Sequence, residues 1–191
     1  MKIAITGHTN GIGKSFARYL ESRGHEIVGL SKREGHNIRN IPKIVKHIVD
    51  CDMFINNAQA GFAQTELFQH VVEQWKDSKN KMIWNISTIM ASDYTMPSIE
   101  ELSDRQLAEY RVQKRALEDA IKTAKSQGVR AKIVLLRPGA VATQPYNIAG
   151  ENGAVTADWV ESVCDFYIKC REHNLFPDEI SLNFKKQAPN I

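Results

Sequence analysis

The chain has 191 residues, 42% apolar and 25% charged, a balance that excludes disorder, collagen-like repeats and coiled coil. Twenty-five basic residues against 22 acidic ones leave a net charge of +3, too mild to make nucleic acid the expected partner. The longest aliphatic run, residues 133–136, falls far short of the ~20 apolar residues of a membrane span. Residues 1–7 turn polar too quickly for a signal peptide. One core at this length buries roughly 70% of the unfolded surface, so a single domain over residues 1–191 is expected. Cys51, Cys164 and Cys170 form no close pair, and free thiols in a cytoplasmic protein are expected. Together with the six histidines they show no metal-ligand spacing, and no metal is expected.

The periodicity alternates between strand and helix. Residues 2–6 read as a strand, and 11–22 as a helix with apolar positions Ile12, Phe16, Ala17 and Leu20, stopped by Gly24. A second strand is expected at 26–30 and a stub of a third at 37–39. Residues 41–49 have helical spacing, with Pro42 in the first turn, where a missing amide costs nothing. Strands follow at 53–57 and 82–87 with a helix at 66–75 between them. A long polar helix covers 104–126, and 131–136 is a buried strand. Residues 139–157 read as a long functional loop, followed by a helix at 158–171 and a strand at 180–184. This alternation predicts an α/β fold: a Rossmann-like, doubly wound parallel sheet of about seven strands with helices on both faces. Such sheets bind ligands at the C-terminal edge of their strands.

Thr6-Gly7-His8-Thr9-Asn10-Gly11-Ile12-Gly13 lies between the first strand and the first helix. Gly7 and Gly11 permit backbone angles that other residues resist, and Gly13 lets the helix pack closely. Amides at the helix start can then meet a pyrophosphate. At the end of the second strand, Ser31-Lys32-Arg33 offers a hydroxyl and two cations. An acid there would favour NAD, whereas this set suits a 2′-phosphate and predicts NADP(H) rather than NAD(H).

TGxxxGIG at 6–13 resembles the cofactor loop of the short-chain dehydrogenase/reductase family. Three further blocks stand in the family's order. Asn56-Asn57-Ala58 resembles its NNAG, Tyr110-Arg111-Val112-Gln113-Lys114 its YxxxK, and residues 137–143 its RPGxVxT. The resemblance implies cofactor contacts at Thr9, Asn10, Ile12, Asn57, Ala58, Lys114, Pro138, Gly139, Val141 and Thr143. It also implies an adenine contact at Asn37-Ile38, where asparagine replaces the family's acid.

Tyr110 and Lys114 are four apart on a helix and share a face. A free tyrosine has a pKa near ~10, which a neighbouring ammonium lowers. The resemblance implies that Tyr110 exchanges a proton with the substrate oxygen during hydride transfer at the nicotinamide, and that Lys114 also holds the ribose hydroxyls. Asn85-Ile86-Ser87-Thr88 resembles the family's NISS and makes Thr88 the expected hydroxyl donor, with Ser87 the alternative. Only one of two adjacent strand residues can face the site. Residues 93–98 and Gln144, Tyr146 and Asn147 could line the substrate pocket.

The sequence departs from the family at Asn10, where Arg or Lys is usual, and at Gln59, which replaces the glycine of NNAG. Residues 63–75 hold no asparagine for the family's proton relay, so a relay would need water or a backbone carbonyl. The reading is an NADP(H)-dependent oxidoreductase that interconverts a small carbonyl and an alcohol. Alternatives are an NADP(H)-binding sensor or scaffold without turnover, and a sugar-nucleotide epimerase or reductase. Leu67, Phe68, Val71 and Val72 could pair with a second subunit in a homo-oligomer, or pack on the sheet.

Overall fold

A computed structural model of the chain describes residues 1–92, 103–142 and 158–182. The strands are β1 (Lys2–Thr6), β2 (Glu26–Leu30), β3 (Met53–Asn56), β4 (Met82–Ile86), β5 (Lys132–Pro138) and β6 (Glu179–Leu182). The helices are α1 (Gly11–Ser22), α2 (Ile41–Ile48), α3 (Ala63–Trp75), α4 (Asp104–Ser126) and α5 (Trp159–Glu172). All strand pairs are parallel, in the order β2-β1-β3-β4-β5-β6.

Because side chains alternate along a strand, the central strands β1, β3, β4 and β5 each feed two cores. Ala4, Phe54, Ile83, Ile133 and Leu135 face a layer with Ile44, Leu67, Phe68, Val71, Leu117 and Ile121 of α2, α3 and α4. Ile3, Ile5, Ile55, Trp84, Val134 and Leu136 face Phe16 and Leu20 of α1 and Val160, Val163 and Tyr167 of α5. Burial on both faces explains why these central strands read as largely apolar runs. Leu67, Phe68 and Val71 pack on the sheet, with Val72 partly buried against the same layer. No helix among the described residues is long and apolar enough to cross a membrane.

The described residues hold six strands, not about seven. The stub expected at 37–39 is a turn. Asn37 Oδ1 accepts from the Arg39 amide at 3.1 Å, and the Asn40 amide donates to the Asn37 carbonyl at 2.9 Å. A local asparagine bond of this kind competes with strand pairing. Asn40 then caps α2, accepting from the Lys43 amide.

The order places β1 between β2 and β3. From β1 the chain leaves leftward through α1; from β3 it leaves rightward through α3. This reversal opens a crevice at the C-terminal ends of β1 and β3, where open α/β sheets hold ligands.

Candidate cofactor and active site

Glycine backbone forms the floor of the crevice between β1 and α1. Gly7 (φ +71°) and Gly11 (φ +52°) are in the left-handed region, accessible to glycine without strain. A Cβ on Gly13 would stand 2.4 Å from the Gly7 carbonyl oxygen and 2.7 Å from Asn57 Nδ2, so no other residue fits there. Asn10 caps α1, its Oδ1 accepting from the Gly11 amide at 2.9 Å. The next amides of the first turn, from Ile12 and Gly13, have no intrahelical partner. One hydroxyl binds the two strand ends together: Thr6 Oγ1 accepts from the amides of Asn57 (2.9 Å) and Ala58 (3.0 Å) and donates to the Ile55 carbonyl (3.4 Å). Asn57 Nδ2 returns a bond to the Thr6 carbonyl at 2.9 Å. A bare cradle at a helix N-terminus fits a pyrophosphate.

The end of β2 lies beside this cradle. Ser31 is buried and caps the 3-10 turn Lys32–Glu34, and its hydroxyl shares a 2.9 Å hydrogen bond with Thr9 Oγ1. Lys32 and Arg33 are exposed, and among the described residues neither has an ion-pair partner. Asn37 is exposed, whereas the Ile38 side chain lies in the α2-side core, leaving only its backbone for a ligand. Pro138 ends β5, the Gly139 amide is taken by the Leu182 carbonyl at 2.9 Å, and Val141 is buried. Thr143, residues 93–98, Gln144, Tyr146 and Asn147 lie outside the described residues.

On the other side of the crevice stands α4, which a Ser103/Gln106 capping box starts. Half-buried Tyr110 and fully buried Lys114 are one turn apart, with Lys114 Nζ 5.6 Å from the Tyr110 ring centroid. The ammonium nitrogen donates to Gln64 Oε1 at 2.9 Å and to the Ile86 carbonyl at 2.8 Å. Burial lowers the Lys114 pKa to about 7, and Glu118 one turn along opposes that fall.

Gln64 was not expected at this site. It is 2% exposed, and its Nε2 donates to the carbonyls of Asn56 (2.7 Å) and Ile86 (3.0 Å). With both amide hydrogens committed, Oε1 is the atom left for Lys114. Asn56 Nδ2 in turn donates to the Gln64 carbonyl and to Asn85 Oδ1, each at 3.0 Å. The sequence reading sought an asparagine in this helix, but the side chain present is a glutamine in its first turn. It lies three, four and seven residues before Leu67, Phe68 and Val71. A polar residue in register with a buried stripe was the available signal.

Ser87 and Thr88 are both buried but differently engaged. Ser87 Oγ donates to Glu118 Oε1 at 2.6 Å, which spends its proton. Thr88 Oγ1 accepts from the Met90 amide at 3.3 Å, which leaves the hydroxyl hydrogen to donate. Gln59, in place of the family's glycine, hydrogen-bonds Gln113 and ties the loop after β3 to α4.

The lowered Lys114 pKa has a consequence for stability. In an unfolded chain lysine titrates near ~10.4; folded, Lys114 titrates near 7. Between these values the unfolded state binds the extra proton, so stability rises with pH across that window. Relative to Lys114→Met, the wild type is expected to gain about 2 kcal/mol between pH 7 and pH 9, read by denaturant unfolding at each pH. A flat difference would mean that Lys114 stays an ammonium in the folded chain.

Residues 3–74 match the model of the NAD-dependent epimerase/dehydratase family. No curated protein matches the sequence. Among solved structures the chain is similar to an alcohol dehydrogenase from the archaeon Thermococcus sibiricus complexed with 5-hydroxy-NADP. The TM-score is 0.72 at 16% identity, covering 100% of this chain and 99% of that one. A short-chain dehydrogenase from Burkholderia cenocepacia in complex with NADP gives a TM-score of 0.70 at 16% identity, with 95% and 87% covered. A 3-ketoacyl-(acyl-carrier-protein) reductase from Brucella melitensis complexed with NADH gives 0.72 at 13% identity, with 97% of each chain covered. The resemblance seen in the sequence thus holds for the fold: this chain is built on the fold of the short-chain dehydrogenases/reductases.

Proposed function

We propose that the chain is an NADP(H)-dependent oxidoreductase that interconverts a small carbonyl and its alcohol. The observation that carries this reading is the buried Lys114 amine, held by Gln64 and the Ile86 carbonyl one turn from Tyr110. Nicotinamide dinucleotides bound to similar solved structures support the choice of cofactor class.

The pyrophosphate would be held by Gly7, Thr9, Asn10, Gly11, Ile12 and Gly13, with Asn57 and Ala58 closing the crevice. Ser31, Lys32 and Arg33 would take the 2′-phosphate, and Asn37 with the Ile38 backbone the adenine. Pro138, Gly139, Val141 and Thr143 would flank the nicotinamide half, together with Lys114. Bound there, the cofactor supplies or accepts the hydride. Tyr110 exchanges the proton with the substrate oxygen. A positive Lys114 lowers the phenol pKa, and Gln64 positions that amine. Thr88 donates to the substrate oxygen, because the Ser87 proton is committed to Glu118.

A fluorescence titration with NADPH and, in parallel, NADH tests the reading. NADPH is expected to bind at least about tenfold more tightly, as charge-assisted bonds to an added phosphate imply, and to be oxidised in a screen of aldehydes and ketones. Tighter NADH binding would overturn the 2′-phosphate assignment. Binding of neither would remove the oxidoreductase reading altogether.

A further inference from the structure

We infer that His8 is a specificity-determining residue of the cofactor site: by holding the Glu34 carboxylate, it keeps Lys32 and Arg33 available to a 2′-phosphate. The inference rests on the NADP(H) reading and deepens it.

Lys32, Arg33 and Glu34 occupy a single 3-10 turn. An acid adjacent to two cations is placed to neutralise them and to repel a phosphate. Instead, Glu34 Oε2 lies 3.3 Å from His8 Nε2, while Lys32 and Arg33 have no carboxylate partner among the described residues. The His8 Nδ1 atom is buried without a hydrogen-bond partner among those residues, so Nε2 is the nitrogen engaged with the acid.

The seat of the imidazole is built into β2. Glycine inside a strand weakens it and often marks a close approach of other atoms. Gly29 is such a glycine, one residue before the end of β2. A Cβ there would lie 2.3 Å from His8 Nε2, 2.4 Å from Cε1 and 2.5 Å from Cδ2. The ring therefore lies directly on the Gly29 backbone, and any side chain at 29 would evict it. The next residue, Thr9, makes a parallel tie to Ser31. Two consecutive residues of the glycine-rich loop thus grip the turn that bears the cations, one by its cap and one by its acid.

The test uses the cofactor-free chain with 2′,5′-ADP and 5′-AMP as probes, titrated calorimetrically at low ionic strength, where exposed charges are least screened. The quantity read is the affinity ratio of the two probes. Wild type is expected to prefer 2′,5′-ADP. His8→Gln is expected to lower the ratio about fivefold by freeing a unit negative charge beside the cations. Glu34→Gln, on a half-exposed side chain, should raise it about twofold. In the double variant the His8 effect should vanish, because His8 acts through Glu34. A ratio unmoved by His8→Gln, or lowered equally with Glu34 already neutral, overturns the inference while the NADP(H) reading stands. Should His8→Gln not fold, an unchanged ratio in Glu34→Gln overturns it alone. A wild type that binds 5′-AMP as well as 2′,5′-ADP, or binds neither, overturns both.

Discussion

Replacing Tyr110 by phenylalanine is expected to lower turnover by ~100- to 10,000-fold, the usual contribution of a positioned acid–base group, and to leave NADPH affinity within about twofold. The phenylalanine ring keeps the face against which Lys114 Nζ stands at 5.6 Å, while the hydroxyl with its exchangeable proton is lost. Steady-state kinetics on any carbonyl found in the screen, with a parallel NADPH titration, separates the two effects. A fall in affinity matching the fall in turnover would assign Tyr110 to binding. Undiminished turnover would place the proton donor elsewhere and remove Tyr110 from the chemistry.

Arg137→Met is expected to destabilise the fold by about 3 kcal/mol, at the lower end for breaking a buried ion pair from one side. Arg137 Nε and Nη2 both donate to the Glu118 carboxylate at 2.8–3.0 Å, and Nη1 reaches Glu179 at 2.9 Å. Glu118 is 6% exposed, and without the guanidinium its carboxylate would keep, among the described residues, one hydrogen bond, from the Ser87 hydroxyl. Denaturant unfolding measures the loss. Glu118→Met combined with Arg137→Met should recover most of it, because an apolar pair needs no compensation. An unshifted unfolding midpoint in Arg137→Met alone would show that water screens the pair. The network joins β4, α4, β5 and β6, so the same contacts that hold the sheet edge together also fix the helix that carries Tyr110 and Lys114.

Much of the fold was legible in the sequence because burial on both faces writes itself as apolar runs. The helix at 104–126 matches α4 end to end, and the glycine-rich loop announced both positive-φ positions. The failure at 37–39 has a local cause, since β-like residues say nothing of an asparagine side chain closing a turn. At the candidate site, geometry carried by the backbone or by spacing along one helix was readable: the left-handed angles of Gly7 and Gly11, the close approach at Gly13, and the one-turn separation of Tyr110 and Lys114. Contacts between residues distant in the chain were not. Gln64 meets Lys114 across 50 positions and Glu118 meets Ser87 across 31. The seat of His8 on Gly29 depends on two loops folding over one strand. Such pairings are set by tertiary geometry, which a single sequence leaves unwritten.

The strand order has a consequence for how the chain is made. β1 and β2 are synthesised first. Among the described strands each later one, from β3 through β4 and β5 to β6, then docks on the same side of the growing sheet, away from β2, with no insertion between existing neighbours. Folding can therefore keep step with the ribosome, which delivers roughly 5–20 residues per second. The crevice at β1 and β3 takes shape once residue 58 has emerged, well before α4 exists. Until the next strand arrives, the edge on offer is an unpaired, mostly apolar strand such as Met53–Asn56 or Met82–Ile86, every residue of which the finished fold buries. Those pauses are where a nascent chain is most exposed to pairing with a stranger.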